Sequence, residues 1–190
     1  MLHKYYLKLK DIKKSKNINL FIDTSFMVNK YGSESIAYQH SNKKKKATKV
    51  SLICDQYNNV LSVIIAPKAS NSDVTLVQPT VNNIGIKFNK STAIKLIADK
   101  AYSQNLIYNL QNRKIKVITE NKKYKHKILP EHNKKTKLLL KKRVCVEHSI
   151  NNLKRVDRVM LRKDKLNYTY QSFIYLQLIL MFSNKVSNGL

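Results

Sequence analysis

The chain has 190 residues, 37 of them Lys or Arg against 11 Asp or Glu, giving a formal net charge of +26. With 43% hydrophobic residues it is apolar enough for one folded domain, so wholesale disorder is excluded. No run reaches the roughly 20 apolar residues of a membrane helix, and the N-terminus lacks the apolar stretch of a signal peptide. Cys54 and Cys145 form no metal or redox pattern, so the expectation is an intracellular protein, neither secreted nor bound to a membrane.

Residues 1–17 read as a basic leader and 18–187 as a single domain. NLFIDTSFMV (19–28) is apolar and β-prone around one acid, which predicts a buried strand. Residues 29–46 are polar, end in a lysine run and read as a loop. ATKVSLICDQ (47–56) and VLSVIIAP (60–67) predict the two strands of a hairpin around the turn YNN (57–59). KASNSD (68–73) supplies turn and cap residues for a helix over 74–85, which Pro79 starts, kinks or shortens. STAIKLIADKAY (91–102) predicts a strand ending in an acid, followed by a helix over 104–114 that Ser103 caps and a short strand over 115–121. The lysine-rich stretch 122–142 reads as a mobile loop inside the domain. Helices over 143–160 and 169–186 close the chain. This order predicts an α/β fold, a mixed central sheet flanked by helices.

The charge points to a polyanion, most often nucleic acid. Lys, Asn and Ile supply 70 of the 190 residues, and their codons are AT-rich, so part of the charge reflects genome composition. The arginines are more telling: four of the five, Arg143, Arg155, Arg158 and Arg162, fall within 143–162, and Arg is the better bidentate phosphate ligand.

Three acids stand in apolar strand contexts: Asp23, Asp55 and Asp99. An ionised carboxylate there is costly unless paired or metal-bound. Asp55 precedes the YNN turn, and turn capping accounts for it. Asp23 has no turn beside it, and Asp99 ends its strand, where open α/β sheets place ligands. On a helix over 143–160, at about 100° per residue, Glu147, Lys154 and Arg158 lie within about 60° of Arg143, and Cys145, Val146, Ile150, Leu153 and Val156 form an apolar arc between about 200° and 340°. That stripe reads either as an exposed face with an i, i+4 ion pair or as part of a site. Two strand carboxylates and one helix carboxylate are the hard oxygen donors that Mg²⁺ or Mn²⁺ prefers, and two such ions can clamp a phosphoryl transfer. No triad, P-loop or glycine-rich fingerprint competes with this reading; the chain has only 3 glycines.

These segments resemble, in order, the catalytic core of a DDE transposase of the insertion-sequence four/five superfamily. FIDTSF holds the first Asp. KKKKATKVSLICDQYNNVLSVIIAPKASNSD is similar to the family's basic segment, hairpin and Asp-Ser turn. LIADKAY matches the second motif, and RVCVEHSINNLKR the third. The resemblance spans about residues 18–185, with two departures: Leu140 stands where the family has a Tyr, and Val74 follows Asp73 where it has a Ser. It implies a ribonuclease-H-like fold and a metal-binding catalytic trio of Asp23, Asp99 and Glu147. It further implies two Mg²⁺ or Mn²⁺ ions, and DNA contacts by Lys46, Lys49, Tyr102, Arg143, Lys154, Arg155 and Arg158. Tyr102 would support Asp99 or approach the DNA end. The implied activity is nicking at transposon ends in double-stranded DNA followed by strand transfer. The alternatives are a related two-metal nuclease and a non-catalytic, domesticated DNA-binding remnant. Only 22 residues precede Asp23, where the resemblance implies a DNA-binding or dimerisation region. The expectation is therefore a truncated or split transposase, working as a homodimer or with a separate N-terminal half.

Overall fold

The structure, a computed structural model, describes residues 16–39, 45–86, 88, 91–102, 115–120 and 131–188. Its elements in chain order are β1 (Asn17–Asn29), β2 (Ala37–Gln39), β3 (Lys45–Asp55), β4 (Val60–Ile65), α1 (Asp73–Asn82), β5 (Ala93–Ala98), β6 (Ile115–Thr119), α2 (Lys134–Lys141), α3 (Val144–Leu153), α4 (Asp157–Met160), β7 (Leu161–Arg162) and α5 (Asn167–Asn188). The helix expected over 104–114, most of the loop at 122–142 and the leader fall outside the described residues.

The strands form one mixed sheet with β1 at its centre. β1 runs antiparallel to β3 and parallel to β5, and β5 runs parallel to β6. β3 is flanked on its far side by β2 and β4, and the two-residue β7 extends the other edge of β1 at Val28 and Asn29. The β3–β4 hairpin turns at Asn58, whose φ of 60° is a left-handed conformation that Asn tolerates. Asp55 accepts from the Tyr57 and Asn59 backbone N–H groups at 2.8 and 2.9 Å, the turn-capping role expected of it.

Because side chains alternate along a strand, β1 and β5 feed two cores. Phe21 and Ile97 face one side, with Leu52 and Cys54 of β3, and are covered by α3 and α5 through Val146, Ile150, Leu153, Tyr170 and Ile174. Leu20, Ile22, Leu96 and Ala98 face the other and are covered by α1 through Val77 and Val81. Pro79 lies inside α1 and does not end it. On its buried face the Thr80 hydroxyl bonds the Leu76 carbonyl and the Ser51 hydroxyl, tying the helix to β3.

Two expectations are corrected. Residues 134–141, inside the supposed lysine loop, are helical: the Asn133 side chain accepts from Thr136 N at 2.8 Å and caps the helix, and Leu139 and Leu140 pack against the core. The helix over 143–160 is two helices. Val156 is extended, with φ −88° and ψ 120°, and breaks the chain between α3 and α4. Tertiary contacts hold the break: Gln177 Nε2 donates to the Asn152 carbonyl near the end of α3, and the Tyr170 hydroxyl donates to the Val159 carbonyl in α4.

Candidate active site

β1 and β5 are paired in parallel as far as Phe21 opposite Ile97. Asp23 stands two residues further along β1, and Asp99 follows directly on the end of β5. On α3 the buried residues Cys145, Val146, Ser149, Ile150 and Leu153 fix which face meets the sheet. Glu147 lies off that face, and the first turn of the helix carries it towards Asp23. Arg143, immediately before α3, joins them: Nη1 lies 3.4 Å from Asp23 Oδ2, and Nη2 lies 3.0 Å from Glu147 Oε1.

Asp23 is half-buried, and burial is the main reason its pKa is raised; the charges of Asp99 and Glu147 raise it further. The bond from Thr24 N, at 2.8 Å, and the Arg143 charge oppose the rise without cancelling it. Asp99 and Glu147 thus lie near enough to Asp23 for their charges to act on it. Asp99 accepts from Lys100 N at 2.6 Å, and its carbonyl accepts from Tyr102 N at 3.0 Å, a tight turn that folds Tyr102 beneath the site. Tyr102 is buried in the core on the α1 side, and burial and the charges of Asp73, Asp23 and Asp99 push its phenol well up. Among the described residues its hydroxyl has no hydrogen-bond partner; neighbouring Thr24 donates to Asp73 Oδ1 at 2.7 Å.

The donor types are those a divalent cation takes: three carboxylates, all hard oxygens. As they stand, however, no three His, Cys, Asp or Glu side chains among the described residues are gathered closely enough to hold a metal ion. The cation between Asp23 and Glu147 is the Arg143 guanidinium.

The other residues taken for DNA contacts divide. Lys46 and Lys154 line one cleft of about 300 Å³ with Lys45 and residues Thr24–Val28, next to Asp23. Burial alone holds the Lys154 ammonium below the ordinary lysine value. Arg155 is exposed at the end of α3. Arg158 is turned away from Glu147 by the break at Val156; it pairs with Asp164 at 2.9 Å and stacks on Phe173. Lys49 points inward: it is buried, its ammonium donates to the Asn71 carbonyl at 2.7 Å and pairs with Asp73 at 3.0 Å, and it lies over the Phe26 ring. Arg162 is fully buried. The arginine cluster of the sequence thus does not form one face. Asp73, whose carboxylate gathers Thr24 and Lys49 below the site, was not singled out as a site residue; its place in the Asp-Ser-like turn was the available signal.

A family model described as a transposase DDE domain matches residues 14–182. No curated protein matches the chain. Among solved structures, it is similar to the piggyBac transposase in its synaptic complex with hairpin DNA. That likeness has 12% identity, covers 99% of this chain and 52% of that one, and has a TM-score of 0.55. A second likeness is to the Mos1 strand transfer complex, at 13% identity over 98% of this chain and 59% of that one, with a TM-score of 0.35. The first likeness bears on the fold, which is ribonuclease-H-like. The chain spans about half the length of the piggyBac chain.

Proposed function

We propose, for a chain that belongs to the transposase DDE domain family, metal-dependent phosphoryl transfer on double-stranded DNA, namely nicking at element ends and joining of the freed 3′-hydroxyl to target DNA. The observation that supports this reading is the parallel pairing of β1 with β5, which brings the strand ends bearing Asp23 and Asp99 side by side, together with Arg143, which bridges Asp23 to Glu147 of α3. Hard oxygens on rigid elements suit a pair of Mg²⁺ or Mn²⁺ ions, which would supply Lewis-acid neutralisation at a phosphoryl oxygen.

The chain's own residues supply the rest. Arg143 offers a planar fork of donors to a phosphate beside the carboxylates. Lys154 and Lys46, on the adjoining cleft, offset the phosphates on which the strand would lie. Tyr102, packed beneath Asp99, holds the turn that aims that carboxylate. In nicking, a water oxygen forms the new P–O bond as the bond to the 3′ oxygen breaks, and that oxygen leaves with a proton as the 3′-hydroxyl. In joining, the 3′-hydroxyl attacks a target phosphodiester in the same way.

The test is incubation of the purified chain with its element's terminal DNA and Mg²⁺ or Mn²⁺. Nicked and joined products are expected. Asp99→Asn and Glu147→Gln should lose both while DNA affinity persists. Cleavage without joining would assign a nuclease. DNA binding with no metal-dependent cleavage by the unsubstituted chain would assign a non-catalytic DNA-binding role.

A further inference from the structure

We propose that Arg143 is the built-in counter-ion of the carboxylate group, that it competes with a divalent cation for Asp23 and Glu147, and that a DNA phosphate draws it away. The inference rests on the phosphoryl-transfer reading above and adds an order to it, in which DNA binding favours metal binding.

The guanidinium spans the two carboxylates with separate nitrogens, at 3.4 and 3.0 Å. It therefore lies on the line between two of the three donors that a metal would have to share. A guanidinium and a divalent cation cannot both stand there: each would have to be desolvated against the other's charge. Arg143 is half-buried and Glu147 about half-exposed, so solvent and an incoming phosphate both have access to the pair. The exchange conserves charge pairing. Arg143 trades two carboxylates for a phosphate that accepts the same fork geometry, and the released carboxylate oxygens become free to close on a metal. The backbone need not move, because Arg143 is already helical, with φ −59° and ψ −21°; a change of side-chain rotamer is enough. The other reading of the contact is that Arg143 holds Glu147 in place for the metal, and this predicts the opposite effect of removing it.

The test is Mn²⁺ titration of the whole chain, read by the loss of the free-ion paramagnetic signal, with and without a short DNA duplex. Without DNA, Arg143→Gln should bind Mn²⁺ roughly tenfold more tightly than the unsubstituted chain. Duplex DNA should tighten Mn²⁺ binding in the unsubstituted chain and do so much less in the variant. Lys163→Gln, an exposed charge outside the carboxylate group, should match the unsubstituted chain. Arg143→Lys keeps a point charge without the fork and should fall between, which preserves the test if Arg143→Gln does not fold. Equal or weaker Mn²⁺ binding by the variants overturns the counter-ion role alone. Failure of every protein to bind Mn²⁺, with DNA present, overturns the phosphoryl-transfer reading and this inference with it.

Discussion

Replacing Arg162 should unfold a large part of the margin by which this domain is stable. Its side chain is fully buried. Nε donates to the Asp164 carbonyl at 3.0 Å, and Nη1 to the Glu34 carbonyl at 3.0 Å and Thr48 Oγ1 at 3.1 Å. Nη2 donates to the Lys165 carbonyl at 2.9 Å. The guanidinium also lies over the Tyr170 ring, 5.1 Å from its centroid. These bonds hold the turn after β1, the strand β3 and the start of α5 to one point. Charge-assisted hydrogen bonds contribute about 1.5–3 kcal/mol each, so four give about 6–12 kcal/mol as an upper limit. Removing the cation also removes the cost of burying it, several kcal/mol. The expected net loss for Arg162→Met, which keeps most of the stem, is about 3–5 kcal/mol, against a total of about 5–15 kcal/mol for a domain. Urea unfolding followed by circular dichroism measures it, with the slope m compared to show that the same surface unfolds. Arg155→Met, at an exposed site, should change stability by less than about 0.5 kcal/mol. A loss below about 1 kcal/mol for Arg162→Met, in the range of an exposed ion pair, would refute the reasoning.

Three further outcomes follow from the geometry. Asp23 has a raised pKa, chiefly from burial, so its stabilising contribution is fully present below its unfolded pKa and lost as pH rises through the folded value. Asp23→Asn should therefore raise the melting temperature at neutral pH and leave it unchanged in acid, as thermal unfolding at the two pH values will report; a lower melting temperature at neutral pH contradicts this. Lys154→Gln should reduce the slope of log affinity for DNA against log salt by about 0.9, one phosphate contact, whereas Lys49→Met should leave that slope alone and lower stability, because its ammonium is bound inside the fold. Gly32→Ala should destabilise strongly, since a Cβ there would come within 2.6 Å of Arg162 Nε and of the Asn29 amide. A normal unfolding curve for that variant would mean the turn can open without loss.

Much of the fold was legible because its strands advertise themselves. Apolar β-branched runs broken by YNN and by KASNSD give β1, the β3–β4 hairpin and the start of α1 within a few residues. What misled was charge. The lysines of 134–141 hid a helix whose Leu139 and Leu140 reach the core. The periodicity of 143–160 hid a break, because a helical projection assumes constant backbone angles and Val156 leaves them. That break scattered the arginines. Arg143 faces Asp23 and Glu147, Arg158 faces Asp164, and Arg162 goes into the core. Lys49 was misjudged for a related reason: in a strand buried on both sides, a lysine beside a lysine run need not share its exposure.

By itself the sequence determined the family and the α/β class, and it singled out Asp23 and Asp99 as acids in apolar strand contexts that a folded chain tolerates only for cause. Only the tertiary structure decided how the charges are arranged. Pairing β1 with β5 in parallel set Asp23 beside Asp99, and packing α3 on the sheet brought up Glu147 with Arg143 between. Those pairings run across 76 and 120 residues of chain, and neither residue type nor spacing specifies them. They follow from register and helix packing, the two things that a net charge of +26 does not encode.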